Sequence, residues 1–244
     1  MAVLHIIGSS SKGNSYAIET AGEILLLEAG CRFKDVQKGI DFKVGKISAC
    51  LISHEHKDHA GFAKEFLNQG FPVMVPVGVA NSLGDQFGST YHVPAPLRAQ
   101  TPGGFKAIAF NLPHGGTENY GYYIEHEEIG RLLFLTDFEY CKYSFKNQAV
   151  NHILIEANYS KEIISRQSIN RDHVMLGHAE IGTTAEFVKA NVTGELRSVI
   201  LLHLSDGNSD ETDFTNKIKA VVNPDVRIGI ADAGKKFELN KEPF

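Results

Sequence analysis

Cysteine is scarce in this chain. Three stand among 244 residues, at Cys31, Cys50 and Cys141, none near another in sequence. An odd, scattered set excludes a disulfide framework and a Cys-x-x-Cys zinc site, and such usage suits a reducing cytoplasm. Long apolar runs are also missing. The longest reach about half a dozen residues, where a membrane-spanning helix needs ~20, so no membrane association is expected. The chain opens Met-Ala-Val-Leu-His with no positive region ahead of an apolar stretch, so no secretory signal is expected. Lys and Arg are scattered, without a run of five. With a formal net charge of −5, there is no general pull toward nucleic acid or anionic lipid. A local groove using Lys12, Lys57 and Arg166 remains compatible with that balance.

No internal repeat or low-complexity linker interrupts the sequence, and its length can bury a substantial core. Residues 1–244 are expected to form one domain. Short apolar runs alternate with turn signals and helical patterns. Strands are expected at Val3 to Ile7, Tyr16 to Glu19, Glu23 to Ala29, Ser48 to Ser53, Pro72 to Pro76 and Phe105 to Leu112. Further strands are expected at Tyr120 to Glu125, Gly130 to Thr136, His152 to Glu156, Ser198 to Leu202, Val226 to Ala231 and Lys236 to Leu239. Helices are expected at Phe33 to Ile40, Ala60 to Asn68, Val77 to Phe87, Thr183 to Ala190 and Asp210 to Val221. The run from Gly8 to Ser15 is rich in Gly, Ser and Asn and reads as a loop. Two groups of strands, each followed by helices, fit an α/β fold of two packed sheets covered by helices.

Chemistry concentrates at His54-Glu55-His56-Lys57-Asp58-His59, directly after an apolar strand. Four potential ligands lie within six residues. Imidazole nitrogen and carboxylate oxygen suit Zn²⁺, Mn²⁺ or Fe²⁺. The plainer alternative is a solvated polar loop, but three of the chain's eleven histidines in one hexapeptide with a spaced Asp argue against chance. Three further polar residues each end an apolar run: His114 after Phe110 to Pro113, Asp137 after Leu132 to Thr136, and His203 after Val199 to Leu202.

This hexapeptide resembles the signature of the metallo-β-lactamase superfamily. The resemblance implies an αββα sandwich, two mixed sheets flanked by helices. It also implies two divalent ions, Zn or Mn, and an activated hydroxide as nucleophile. By that resemblance His54, His56 and His114 would hold one ion, Asp58, His59 and His203 the other, with Asp137 between them. The closer likeness is to the YycJ/WalJ-like branch, and more loosely to RNase Z. It is carried by Gly8 to Ser15, Leu25 to Gly30, Ser53 to His59, Glu156-Ala-Asn-Tyr159, Gly177-His178 and Leu202 to Ser209. Glu28 stands where the superfamily usually has Asp, which puts the support of the ligand shell in question.

The same likeness makes His178 a catalytic candidate that contacts phosphate or protonates the leaving oxygen. Asp58 is a second catalytic candidate, able to orient the nucleophile as well as to ligate. Ser11, Asn14, Ser15 and Ser205, with Asn208 nearby, are candidate substrate contacts. His5, His92, His126, His152 and His173 have no evident partner and read as structural or exposed. The expected activity is phosphodiester hydrolysis on nucleic acid or a nucleotide, DNA exonuclease action included. The alternatives are hydrolysis of small or cyclic nucleotides, thioester hydrolysis of the glyoxalase II type, and a non-catalytic metal-binding scaffold. Oligomeric state is left open, with a homodimer among the options.

Overall fold

The computed structural model describes residues 1–84, 91–164 and 175–242. Arg166 and His173 lie outside the described residues, as do the last three positions of the helix expected to reach Phe87. Among the described residues two seven-stranded sheets pack face to face. The first contains β1 (Val3–Ser10), β2 (Gly13–Glu19), β3 (Ile24–Leu27), β4 (Ile47–Leu51), β5 (Val73–Met74), β6 (Tyr91–His92) and β14 (Lys236–Glu238), in the order β14-β1-β2-β3-β4-β5-β6. The second contains β7 (Ala99–Gln100), β8 (Lys106–Leu112), β9 (Asn119–His126), β10 (Gly130–Leu135), β11 (His152–Glu156), β12 (Ser198–Leu202) and β13 (Arg227–Ile230), in reverse chain order.

Strand alternation builds the layers. In β3, Leu25 and Leu27 face the space between the sheets, whereas Ile24 and Leu26 face outward. In β10, Leu132 and Phe134 point inward, and Leu133 and Leu135 outward. Both faces of these strands are buried, so they read as continuous apolar runs. The outer face of the first sheet is covered by α1 (Phe33–Gly39), α3 (Ala63–Leu67) and α4 (Val77–Leu83). The second is covered by α5 (Ile181–Asn191) and α6 (Glu211–Lys219). The result is the expected αββα sandwich.

Two local expectations fail. The Gly8 to Ser15 run is a tight hairpin rather than a loop: Ser9 pairs with Asn14 and Ser10 with Gly13, after a register shift between Ile6 and Gly8. The single helix at Ala60 to Asn68 is instead two short pieces, α2 (Lys57–Ala60) and α3. The break has a cause, because Phe62 N–H donates to the Ala29 carbonyl at 2.9 Å instead of continuing a helix. Ala29 N–H in turn donates to the His59 carbonyl at 2.7 Å. The segment after β3 is thus wedged against the hexapeptide. Gly30 fits there because a Cβ would collide with the Asp58 carbonyl.

Strand direction positions the site. β3 and β4 are parallel, as are β10, β11 and β12. β8 runs with β10 through two antiparallel pairings. Within each sheet the carboxyl ends of these strands emerge on one side, and β3, β4, β8, β10, β11 and β12 each end in or shortly before a polar residue of the site.

Candidate metal centre

His54, His56, His114, Asp137, Asp58, His59 and His203 converge, although they come from four separate parts of the chain. Facing ligand atoms fall into overlapping groups: His54, His56, His114 and Asp137; Asp58, His59 and His203; and Asp137, Glu156, His178 and His203. Within each group the atoms lie within 4.8 Å of one another. Asp137 divides its carboxylate. Its Oδ2 lies 3.8 Å from His54 Nε2 and 3.9 Å from His114 Nε2, whereas Oδ1 lies 3.3 Å from His59 Nε2 and 2.8 Å from His203 Nδ1.

Several donors are already oriented. His54 Nδ1 is 2.8 Å from Ser53 Oγ, and the tautomer that donates there leaves a lone pair on Nε2. That Nε2 is buried and, among the described residues, has no hydrogen-bond partner. His114 Nδ1 donates to the Gly177 carbonyl, which directs its Nε2 to a point 3.1 Å from His56 Nδ1. Two nitrogens on one tetrahedral zinc, at Zn–N of ~2.05 Å, would be about 3.3 Å apart. The donor set therefore fits a divalent ion.

Charge balance makes the same case. Asp137, Glu156 and Glu28 are buried to within 1% of full burial, and buried carboxylates require compensation. Among the described residues the basic groups within 4.0 Å of them are imidazoles only. For His203, burial opposes the cation, but Asp137 and Glu156 together outweigh it and lift the pKa to about 10. His59 rises for the same reason, chiefly through Asp137. His54, His56 and His114 move the other way, because burial lowers them and neighbouring imidazoles add to the effect.

His178 sits at the mouth with 11% side-chain exposure, and its Nδ1 is 2.7 Å from Glu156 Oε1. Glu156 was not singled out from the sequence as a site residue. It looks like the polar end of a strand, yet its Oε2 accepts from Phe138 N at 3.2 Å and Ala179 N at 3.0 Å. These bonds fix the carboxylate that holds His178. Burial opposes a cation at His178, but Glu156 and then Asp137 raise its pKa. Of the named cluster, His56, Asp58 and His178 are half-buried and line the opening, and the others are buried.

The first hairpin supplies support rather than an evident substrate surface. Asn14 is fully buried, with Nδ2 3.3 Å from Asp58 Oδ2 and 3.0 Å from His59 Nε2. Its Oδ1 accepts from Tyr16 O–H at 3.2 Å. Because that bond uses the one phenolic proton, Ser9 Oγ must donate to the Tyr16 oxygen at 2.9 Å, and Ser9 Oγ itself accepts from His203 N–H at 2.9 Å. A directional chain thus joins His203 to Asp58. Ser15 is buried, and its Oγ donates to the Glu28 carbonyl at 3.1 Å. Ser11 lies exposed at the hairpin tip beside Lys12, and Lys57 is likewise exposed. Ser205 is half-buried in a turn, its Oγ accepting from Asn208 Nδ2 at 3.0 Å. Glu28, despite its extra methylene, keeps a place beside the ligands, with Oε2 accepting from Ser53 N at 3.2 Å and Oε1 3.6 Å from His59 Nδ1.

The remaining histidines have structural surroundings. His5 lies 2.9 Å from Glu19, and His126 packs on Phe105 with ring centroids 4.5 Å apart. His152 Nδ1 is 2.8 Å from Ser198 Oγ, and His92 is exposed on β6.

Residues 35–204 match the model of the β-lactamase superfamily domain. The exodeoxyribonuclease WalJ of Streptococcus pneumoniae is 26% identical over 246 residues, covering 92% of this chain and 90% of that protein. The exodeoxyribonuclease YycJ of Bacillus anthracis is 24% identical over 225 residues, covering 84% of each. The metallo-β-lactamase fold protein YhfI of Bacillus subtilis superposes with a TM-score of 0.74 at 16% identity, covering 97% of this chain and 98% of that one.

Proposed function

The chain belongs to the β-lactamase superfamily, and from that premise we propose that it is a metal-dependent phosphodiesterase of the nuclease type, with DNA ends as its first candidate substrate. The observation that carries the proposal is the divided carboxylate of Asp137, whose two oxygens face two different groups of ligands. The likeness to two exodeoxyribonucleases over most of the chain supports the choice of substrate. We read residues 1–244 as one hydrolase domain. The free thiols at Cys31, Cys50 and Cys141 suit a reducing cytoplasm. Among the described residues no helix is long and apolar enough to cross a membrane.

On this reading His54, His56, His114 and Asp137 would hold one divalent ion. Asp58, His59, His203 and the other Asp137 oxygen would hold the second, Zn²⁺ or Mn²⁺ in each place. Such a pair, when bound, acidifies water and neutralises charge on phosphoryl oxygens. The protein's own groups do the rest. Asp58, half-exposed at the opening, accepts a hydrogen bond from the attacking water and orients it. His178 gives a proton to the departing alkoxide, and Glu156 holds the ring in place and favours its protonated form. The exposed Lys12 and Lys57 offer the phosphate backbone two cations beside the opening without requiring a long basic track.

A parallel assay tests the proposal, using linear duplex DNA, single-stranded DNA, RNA and cyclic nucleotides with Mn²⁺ and with Zn²⁺. We expect hydrolysis of at least one phosphodiester that stops on chelation, with DNA ends preferred. Fully metal-loaded protein that cleaves none of them would overturn the reading.

A further inference from the structure

Three of the residues at the site have left-handed backbone conformations that a side chain rarely adopts: Glu28 with φ 67°, Asp137 with φ 48° and His203 with φ 51°. Each stands just beyond a strand, after β3, β10 and β12 respectively. In that region the Cβ crowds the following carbonyl, which is why glycine usually fills it. All three are buried to within 3% of full burial, so water cannot satisfy their carbonyls.

A short polar side chain from the neighbouring strand meets each of those carbonyls. Ser15 Oγ, on β2, donates to the Glu28 carbonyl at 3.1 Å. Asn119 Nδ2, on β9, donates to the carbonyls of Thr136 at 3.0 Å and Asp137 at 2.6 Å. Asn158 Nδ2, just beyond β11, donates to the His203 carbonyl at 2.8 Å. The pairings β2 to β3, β9 to β10 and β11 to β12 are all adjacent in their sheets. Asn119 faces two carbonyls, so its amide must present nitrogen there. The other left-handed non-glycine residues differ: Asp41, Phe42 and Leu97 are exposed, and Ala149 is half-buried.

We propose that Ser15, Asn119 and Asn158 are positioning residues that hold three left-handed corners in place, and that these corners aim Glu28, Asp137 and His203 at the metal centre. A corner that relaxed toward extended backbone would swing its side chain out of the cluster. The contact of Asp137 Oδ1 with His203 Nδ1, at 2.8 Å, joins two such corners and would open if either moved. The consequence for metal binding rests on the two-ion reading; the claim about the corners does not.

Crystal structures and metal titrations of Asn119→Ala and Asn158→Ala test the proposal. Val188→Ala, in the outer core and outside the ligand groups, serves as a control for general destabilisation. We expect φ at 137 or 203 to leave the left-handed region in the matching variant. Competition against a chromophoric chelator should show metal affinity falling at least about tenfold, while Val188→Ala keeps wild-type affinity. Should the asparagine variants fail to fold, Ser15→Ala reads the same claim through φ at Glu28. Corners that stay unmoved in the variants overturn the proposal whatever the affinity. A wild-type chain that binds no metal would end the two-ion reading, and the φ comparison would still decide the corners.

Discussion

Asp137 Oδ1 and His203 Nδ1 lie 2.8 Å apart, although 66 positions separate them in sequence. Both follow parallel strands, and both turn through left-handed backbone to reach the contact. The carboxylate that faces His203 on one side faces His54 and His114 on the other. The account of function follows from that placement.

Replacing Asp137 by Ala should therefore affect both ligand groups. We expect metal content to fall by at least one ion per chain and hydrolysis of bis-p-nitrophenyl phosphate to fall by more than about 10³-fold, beyond the 10- to 100-fold of an outer-shell change. His59→Ala should act through one group and leave part of the metal bound. Full activity in either variant would place the chemistry elsewhere.

His178→Ala should separate proton transfer from ligation. Loss of a general acid lowers turnover by roughly 10²–10⁴-fold, and metal content should stay near wild type. Glu156→Gln should lower turnover in the same direction, because the buried partner of His178 loses its charge. Metal loss in His178→Ala would instead make His178 a ligand, as its grouping with Asp137, Glu156 and His203 permits.

Tyr16→Phe should break the chain from His203 to Asn14 while keeping the ring packed on Phe134, at 5.8 Å between centroids. The buried Asn14 Oδ1 would lose its donor, a cost of about 1–3 kcal/mol, read as a lower urea midpoint with an unchanged slope. A midpoint equal to wild type would show that the chain contributes nothing to stability.

His152 gives a pH test away from the ligands. Burial first, then Arg227, pushes its folded pKa down to about 3 from an ordinary 6.5. Between those values the unfolded chain binds a proton that the folded one refuses, so stability falls as pH drops below 6.5. The contribution is about 1.4 kcal/mol per pH unit within that window. His152→Gln should flatten the acid limb of the stability curve by about that slope near pH 5. Parallel acid limbs in the two proteins would contradict the buried neutral imidazole.

The convergence of these His and Asp side chains was legible in the sequence because each member either lies in one hexapeptide or ends an apolar run, and strand direction then brings those ends together. The two-layer sheet pattern was legible for the same reason. The supporting residues were hidden by their chemistry. Glu156 resembles a solvated strand end, and only the packing of Phe138 and Ala179 around it reveals a buried acceptor. Ser9, Asn14 and Ser15 belong to residue types that signal turns, so the composition of Gly8 to Ser15 points to a loop where the structure has a hairpin. Asn119 and Asn158 act on backbone carbonyls of neighbouring strands, a relation that exists only after the sheet has formed.

Metal content tests the central claim most directly. Elemental analysis of purified protein, before and after supplementation with Mn²⁺ or Zn²⁺ and removal of the excess, should give about two divalent ions per chain. Protein that is folded by circular dichroism yet retains none after supplementation would contradict the account.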